Sequence, residues 1–199
     1  MAIDPRSFNK VSMADTCAVW NVLSSDKLYQ SASAAGCIFC CTGFVNYECL
    51  LKPRKHVYAH DVELQNRLRS ARTKGKFQLF ILEIEDLQEV EILERRKKLG
   101  KGELSSIAFA KRTGQAFLTD DKNALKLALE VLPSGYVQTT PDLFGWLIYE
   151  QLLGDSDKQV VISQHESLKR PLKEKFEEGY SLALQYRLAS RAFQAENPT

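Results

Sequence analysis

Apolar residues in this chain fall into two patterns, short unbroken runs and longer stretches where they recur every three or four positions. The short runs lie at residues 11–14, 37–41, 77–82, 116–118 and 136–138. Bounded by turn formers and acids, such runs predict strands buried on both faces. Helical spacing between them predicts helices over 18–23, 27–35 (closed by Gly36), 44–51 (ended by Pro53), 61–71 and a charged stretch at 86–99. Further helices are predicted from Gly102 to the Gly114 turn, over 122–132, and over 141–153 from a proline first turn. A polar break at 154–158 precedes a long amphipathic region at 160–193. Strands alternating with helices predict an α/β fold, a three-layer α/β/α sandwich with a mostly parallel central sheet over residues 11–154. A helical C-terminal extension follows over 155–199, and the polar residues 1–10 carry no weight in this reading.

Composition narrows the picture only a little. A chain of 199 residues that is 44% hydrophobic has enough material for one substantial core. The 27 basic and 25 acidic residues leave a net charge of +2, which neither demands nor excludes a polyanionic partner. No apolar run approaches the roughly 20 residues of a membrane span, and no signal-peptide core opens the chain. Five cysteines, four of them between Cys37 and Cys49, suit a reduced intracellular protein better than a disulfide framework, and with no membrane span in view the expectation is a cytoplasmic protein without a membrane partner.

Candidate chemistry lies in acids at the ends of these elements. Asp15 follows the first strand directly, Glu48 sits on the helix after the second, Glu103 opens a helix, and Asp120 and Asp121 close the strand that follows it. In an open parallel sheet ligands bind outside the carboxyl ends of the strands, where these acids can converge. Clustered carboxylates are hard oxygen ligands for Mg²⁺ or Mn²⁺, ions that activate water and stabilise charge in phosphodiester cleavage. Each acid alone has an ordinary role: capping for Asp120 or Asp121, a favourable helix dipole for Glu103, and solvation for Glu48. Asp15 is the least easily dismissed, because it follows an apolar run.

Three segments carry a resemblance: ADTCAVWNVL at 14–23, VNYECLLKPRK at 45–55 and GELSSIAFAKRTGQAFLTDDKNA at 102–124. In the order of their acids they resemble the motifs of PIN-domain nucleases, with the last segment the most specific. The resemblance implies a PIN-like fold and a metal-dependent endoribonuclease, with Asp15, Glu48, Glu103 and Asp120 as the catalytic, metal-binding set; the Asp-Asp pair itself offers Asp121 as a fifth metal ligand. It implies water attack at phosphorus that leaves a 5′-phosphate and a 3′-hydroxyl, with Thr16 steadying a carboxylate or bound water. It further implies a toxin or defence role, with an antitoxin or other protein partner. The chain departs from the pattern at Cys17, where serine is frequent, in the long charged insertion between Glu48 and Glu103, and at Thr139-Thr140-Pro141, where no acid closes the last strand.

The remaining features are weaker. Cys37 and Cys40 with Cys41, Cys49, His56 and His60 suggest zinc, but three residues is an odd step on a strand and sends Cys37 and Cys40 to opposite faces. Buried, apolar cysteines are the better reading. Lys52, Arg54 and Lys55 follow the Glu48 helix and are candidate nucleic-acid contacts with Thr16, while Arg67, Arg69, Arg72, Lys74 and Lys76 form a second basic group. Against this stands a solvated face of interspersed charge. The C-terminal region has a polar and an apolar side and can pack on the domain, form a homodimer or hold a partner. Two readings compete with the RNA nuclease: a catalytically silent nucleic-acid- or protein-binding module of the same fold, and a DNA nuclease.

Overall fold

A computed structural model describes residues 4–196, with side chains described through residue 190. The five strands are β1 (Val11–Ala14), β2 (Ile38–Thr42), β3 (Phe77–Phe80), β4 (Ala116–Leu118) and β5 (Val137–Gln138). All pair in parallel, in the order β3-β2-β1-β4-β5. The chain thus runs outward from β1 to β3, returns to the other side of β1 with β4, and ends at β5. That reversal creates a crevice at the carboxyl ends of β1 and β4, where Ala14 lies beside Leu118.

Helices cover both faces, as the alternation of strands and helices predicted. One face carries α1 (Thr16–Ser24), α2 (Asp26–Ala34), α4 (Ala59–Thr73), α8 (Thr140–Tyr149), α9 (Asp157–Ser167) and α10 (Lys173–Glu196). The other carries α5 (Ile84–Arg96), α6 (Lys101–Thr113) and α7 (Lys122–Val131). Successive strand residues feed opposite cores: Met13, Cys40 and Phe117 pack with α5–α7, while Ala14, Cys41 and Leu118 pack with the larger group. The cysteines follow this rule, Cys37 and Cys40 lying in different cores. Cys37, Cys40, Cys41 and Cys49 are free and buried. Burial raises the Cys37 and Cys41 thiols to about 11 and the Cys40 thiol to about 12, which keeps them protonated.

Several elements differ from expectation, each for a local reason. The third strand is shorter than predicted and is not buried on both faces: Leu79 is exposed, and Ile81 just beyond the strand is 86% exposed. It forms the sheet's edge, so part of its apolar pattern faces outward. The helix expected over 44–51 begins as α3 (Gly43–Asn46) and then widens into a π-helical turn, Tyr47–Leu51. The long C-terminal region breaks between α9 and α10, where Lys169 adopts φ 58° and Pro171 removes a donor. Phe8, from the opening residues given no weight, is buried and stacks on Trp146 with ring centroids 5.6 Å apart.

The C-terminal helices complete the larger core with Val161, Ile162, Phe176 and Ala183. Helices α8 and α10 touch backbone to backbone at Gly145 and Gly179: a Cβ on Gly145 would lie 3.3 Å from the Gly179 carbonyl oxygen, and one on Gly179 3.1 Å from that of Pro141. His165 is buried there, edge-on to Phe176 at 4.8 Å, and neither ring nitrogen has a hydrogen-bond partner among the described residues. Burial accordingly lowers its pKa to about 4. No described helix is long and apolar enough to cross a membrane.

Candidate active site

The crevice is built around the first turn of α1. Asp15 leaves β1 as the N-cap of this helix, its Oδ1 accepting from the Ala18 amide at 2.8 Å. The Thr119 hydroxyl donates to the other oxygen. Asp15 is fully buried, and burial, with a further contribution from the charges of Asp120 and Glu103, raises its carboxyl to about 7. A capping aspartate exposed to water would show no such displacement.

Thr16, the next residue, donates its hydroxyl to Glu48 Oε2. Glu48 reaches the crevice because the chain after β2 turns at once into α3 and then the π turn, a local widening often found at functional sites. Its Oε1 accepts from the Gly102 amide at 3.3 Å. A Cβ on Gly102 would lie 2.5 Å from Glu48 Oε2, so the absence of a side chain is what admits this carboxylate. Gly100 does the same for Glu103, whose carboxylate occupies the space a Cβ there would fill. Glu103 Oε2 is buried and has no hydrogen-bond partner among the described residues. Burial pushes the Glu103 carboxyl up, assisted by the charges of Glu48 and Asp121.

Asp120 closes the arrangement on the far side of β1. Its Oδ2 accepts from Asn21 Nδ2 at 2.7 Å and from the Thr140 hydroxyl at 2.6 Å, and its Oδ1 from the Thr140 amide at 3.0 Å. Asp121 is turned to the helix behind it, capping α7 through the Asn123 and Ala124 amides at 2.8 Å each. The structure thus gathers Asp15, Glu48, Glu103 and Asp120 from four separate elements at one crevice, with Asp121 at its margin in a capping role. Asp15, Glu48, Asp120 and Asp121 are each held by their own donors, and among the described residues no three His, Cys, Asp or Glu side chains stand close enough to share one ion. Uncompensated carboxylates repel one another, which favours such separate anchoring.

Sequence reasoning missed the groups that hold these acids. Asn21, Thr119 and Thr140 carry no signal at sequence level, because they meet the carboxylates only through the packing of α1, β4 and α8. Asp142 was passed over as well. Its Oδ2 accepts from the Thr139 amide at 2.7 Å and hydroxyl at 2.8 Å, and burial raises its carboxyl, with the Asp120 charge adding to the rise. The Thr-Thr-Pro-Asp order is a capping-box signature that pointed to it. Half-buried Cys17 also faces the acids: burial first, then the charges of Asp15 and Asp120, push its thiol up to about 12.

Of the basic candidates, Arg54 is engaged within the protein, paired with Asp61 at 2.7 Å and lying over the Trp20 ring. Lys52 and Lys55 are exposed beyond the π turn. In the second group, Arg67 pairs with Asp26 and Glu63, and Arg72 donates to Asn46 Oδ1 at 2.6 Å. No family model, curated protein or solved structure matches the chain.

Proposed function

We propose that this protein is a PIN-like, metal-dependent endoribonuclease whose active site is the crevice between β1 and β4. The observation that carries the reading is the gathering of Asp15, Glu48, Glu103 and Asp120 at the topological switch point. Thr16, Thr119 and Asn21 act as internal braces, and two glycines make room for carboxylates. The donor set suits a hard divalent cation, Mg²⁺ or Mn²⁺. An orphaned, buried Glu103 oxygen beside a glycine cradle fits such a ligand, since an uncompensated buried acceptor is otherwise costly.

Asp15, Glu48, Glu103 and Asp120 would hold the ion once their side chains turn from their present separate partners toward a common point, since as they stand no three of them share one. When bound, a divalent cation supplies positive charge to the phosphodiester and lowers the pKa of water. The chain's own residues do the positioning. Thr119 and the α1 N-terminus fix Asp15, Thr16 fixes Glu48 against α6, and Asn21 with Thr140 fixes Asp120. Lys52 and Lys55, exposed beside the Glu48 turn, supply charge for phosphates.

The test is cleavage of mixed single-stranded RNA and DNA substrates with Mg²⁺ or Mn²⁺, comparing wild type with Asp15→Asn and Asp120→Asn. Metal-dependent RNA cleavage lost in both variants is the expected result. Cleavage that persists equally in both variants would remove the crevice from consideration. Preference for DNA would convert the assignment to a DNA nuclease.

A further inference from the structure

Beside the crevice runs an apolar groove of about 760 Å³ with Glu48 in its lining. Phe44 of α3 and Tyr47 of the π turn line it on one side, Leu79 and Ile81 from the edge strand and the residues after it on the other, and Lys52 and Lys101 add the cations among the described lining residues. Phe44 and Tyr47 leave 36% and 48% of their surfaces in water, and Ile81 is 86% exposed. Large apolar side chains gathered around one groove mark a binding surface, whereas singly exposed ones need no explanation.

Charge and continuity select the occupant. Glu48 is the only acid among the described residues that line the groove and belongs to the crevice, so an occupant is continuous with whatever binds there. Lys52 and Lys101 favour a polyanion over a neutral apolar helix. Lys101 pairs with Glu94 at 2.7 Å, an exposed contact that a phosphate can replace with little cost. Exposed aromatic rings beside cations form the combination that binds single-stranded nucleic acid, with bases stacked on rings and phosphates on lysines. Paired bases already stack on their neighbours within a duplex and offer no free face.

We propose that this groove is a base-stacking channel that receives unpaired nucleotides of an RNA strand adjoining the crevice, with Phe44 and Tyr47 as the platform. This rests on the nuclease reading and adds to it the residues that receive the strand.

The experiment is fluorescence anisotropy in EDTA, using a labelled 12-nucleotide RNA of mixed sequence, free or annealed to its complement. Single strands are expected to bind at least about tenfold tighter than the duplex. Phe44→Ala and Tyr47→Ala each weaken single-strand binding by roughly fivefold to a hundredfold, the range of base–aromatic stacking losses, with little effect on the duplex. Tyr47→Phe retains the ring and wild-type affinity. Equal binding by wild type and the ring-less variants would overturn the proposal, as would equal losses on both RNA forms. Sedimentation of the same proteins tests the other occupant: a wild-type dimer made monomeric by Tyr47→Ala, with RNA affinity unchanged, would assign the groove to a second copy. Metal-free binding keeps the two readings separable. Ring-dependent binding without cleavage under any metal refutes the nuclease and leaves the channel standing, whereas Asp15-dependent cleavage indifferent to both rings refutes the channel alone.

Discussion

The acid crevice and the seam between α8 and α10 use the same two devices for different ends. Each brings backbone unusually close to a neighbour through a pair of glycines, and each buries a titratable side chain. In the crevice, Gly100 and Gly102 face carboxylates, the movable ends of side chains. In the seam, Gly145 and Gly179 face backbone carbonyls, which cannot move without shifting a helix. Asp15 is buried among donors and next to other acids, while His165 is buried against Phe176 with no partner. The seam's arrangement serves close packing. That of the crevice crowds carboxylates together, and burial with mutual repulsion raises the Asp15 and Glu103 carboxyls.

The largest effect that sharpens this contrast is on turnover. Asp15→Asn is expected to lower metal-dependent RNA cleavage by about a hundredfold or more, the scale of losing one group that stabilises a transition state. The same substitution should stabilise the metal-free protein at pH 8, by on the order of 3 kcal/mol, because Asn carries no charge to bury. Urea denaturation in EDTA checks the second half, and a less stable variant would contradict the account of the crevice.

The two glycine pairs should separate next. Gly102→Ala displaces Glu48 and lowers cleavage on the order of tenfold to a hundredfold, as small misplacements in active sites do, with stability nearly unchanged. Gly179→Ala forces a Cβ to within 3.1 Å of a backbone oxygen and destabilises by about 1–3 kcal/mol, with cleavage retained. If both variants lost stability alone, the distinction would collapse.

The buried titratable groups give opposite pH slopes. Between about pH 4 and 7, folded Asp15 keeps a proton that the unfolded chain has lost, so stability falls as pH rises through that window. Between about pH 6.5 and 4, the unfolded chain protonates His165 while the folded protein does not, so stability falls as pH drops. The contributions oppose one another from pH 4 to 6.5 in wild type. Relative to wild type, Asp15→Asn should tilt the profile upward with pH there and His165→Leu downward, with the raised Glu103 and Asp142 carboxyls adding to the fall in every protein, as measured by denaturation at a series of pH values without metal. The smallest expected effect is the gain of His165→Leu at neutral pH, on the order of 1 kcal/mol, from removing two unpartnered buried ring nitrogens. A loss instead would mean that the ring's packing on Phe176 outweighs its unmet polarity.

Much of the fold was legible in the chain because strand burial and helix periodicity are local properties. The run at 116–118, the Gly114 turn and the α7 cap at Asp121 all follow from neighbours in sequence. So does the separation of Cys37 from Cys40 by the odd step of a strand. The edge position of β3 was not legible, because its apolar residues look the same whether or not helices cover them. The π turn at Tyr47–Leu51 also escaped, since one widened helical turn leaves the spacing almost unaltered.

For the crevice, sequence alone determined which acids stand at the ends of which elements, because an aspartate after an apolar run or a glutamate in a first helical turn is a matter of adjacent residues. Tertiary structure decided what those acids touch. Asn21 meets Asp120 across 99 positions, Thr119 meets Asp15 across 104, and Gly102 admits Glu48 across 54. These meetings depend on the strand order, with β4 inserted beside β1, and on the absence of a Cβ where two elements touch. Hydrogen bonding and desolvation at the crevice are set by such distant partners, so burial could raise Asp15 and orphan a Glu103 oxygen without leaving any mark in the local pattern of either residue.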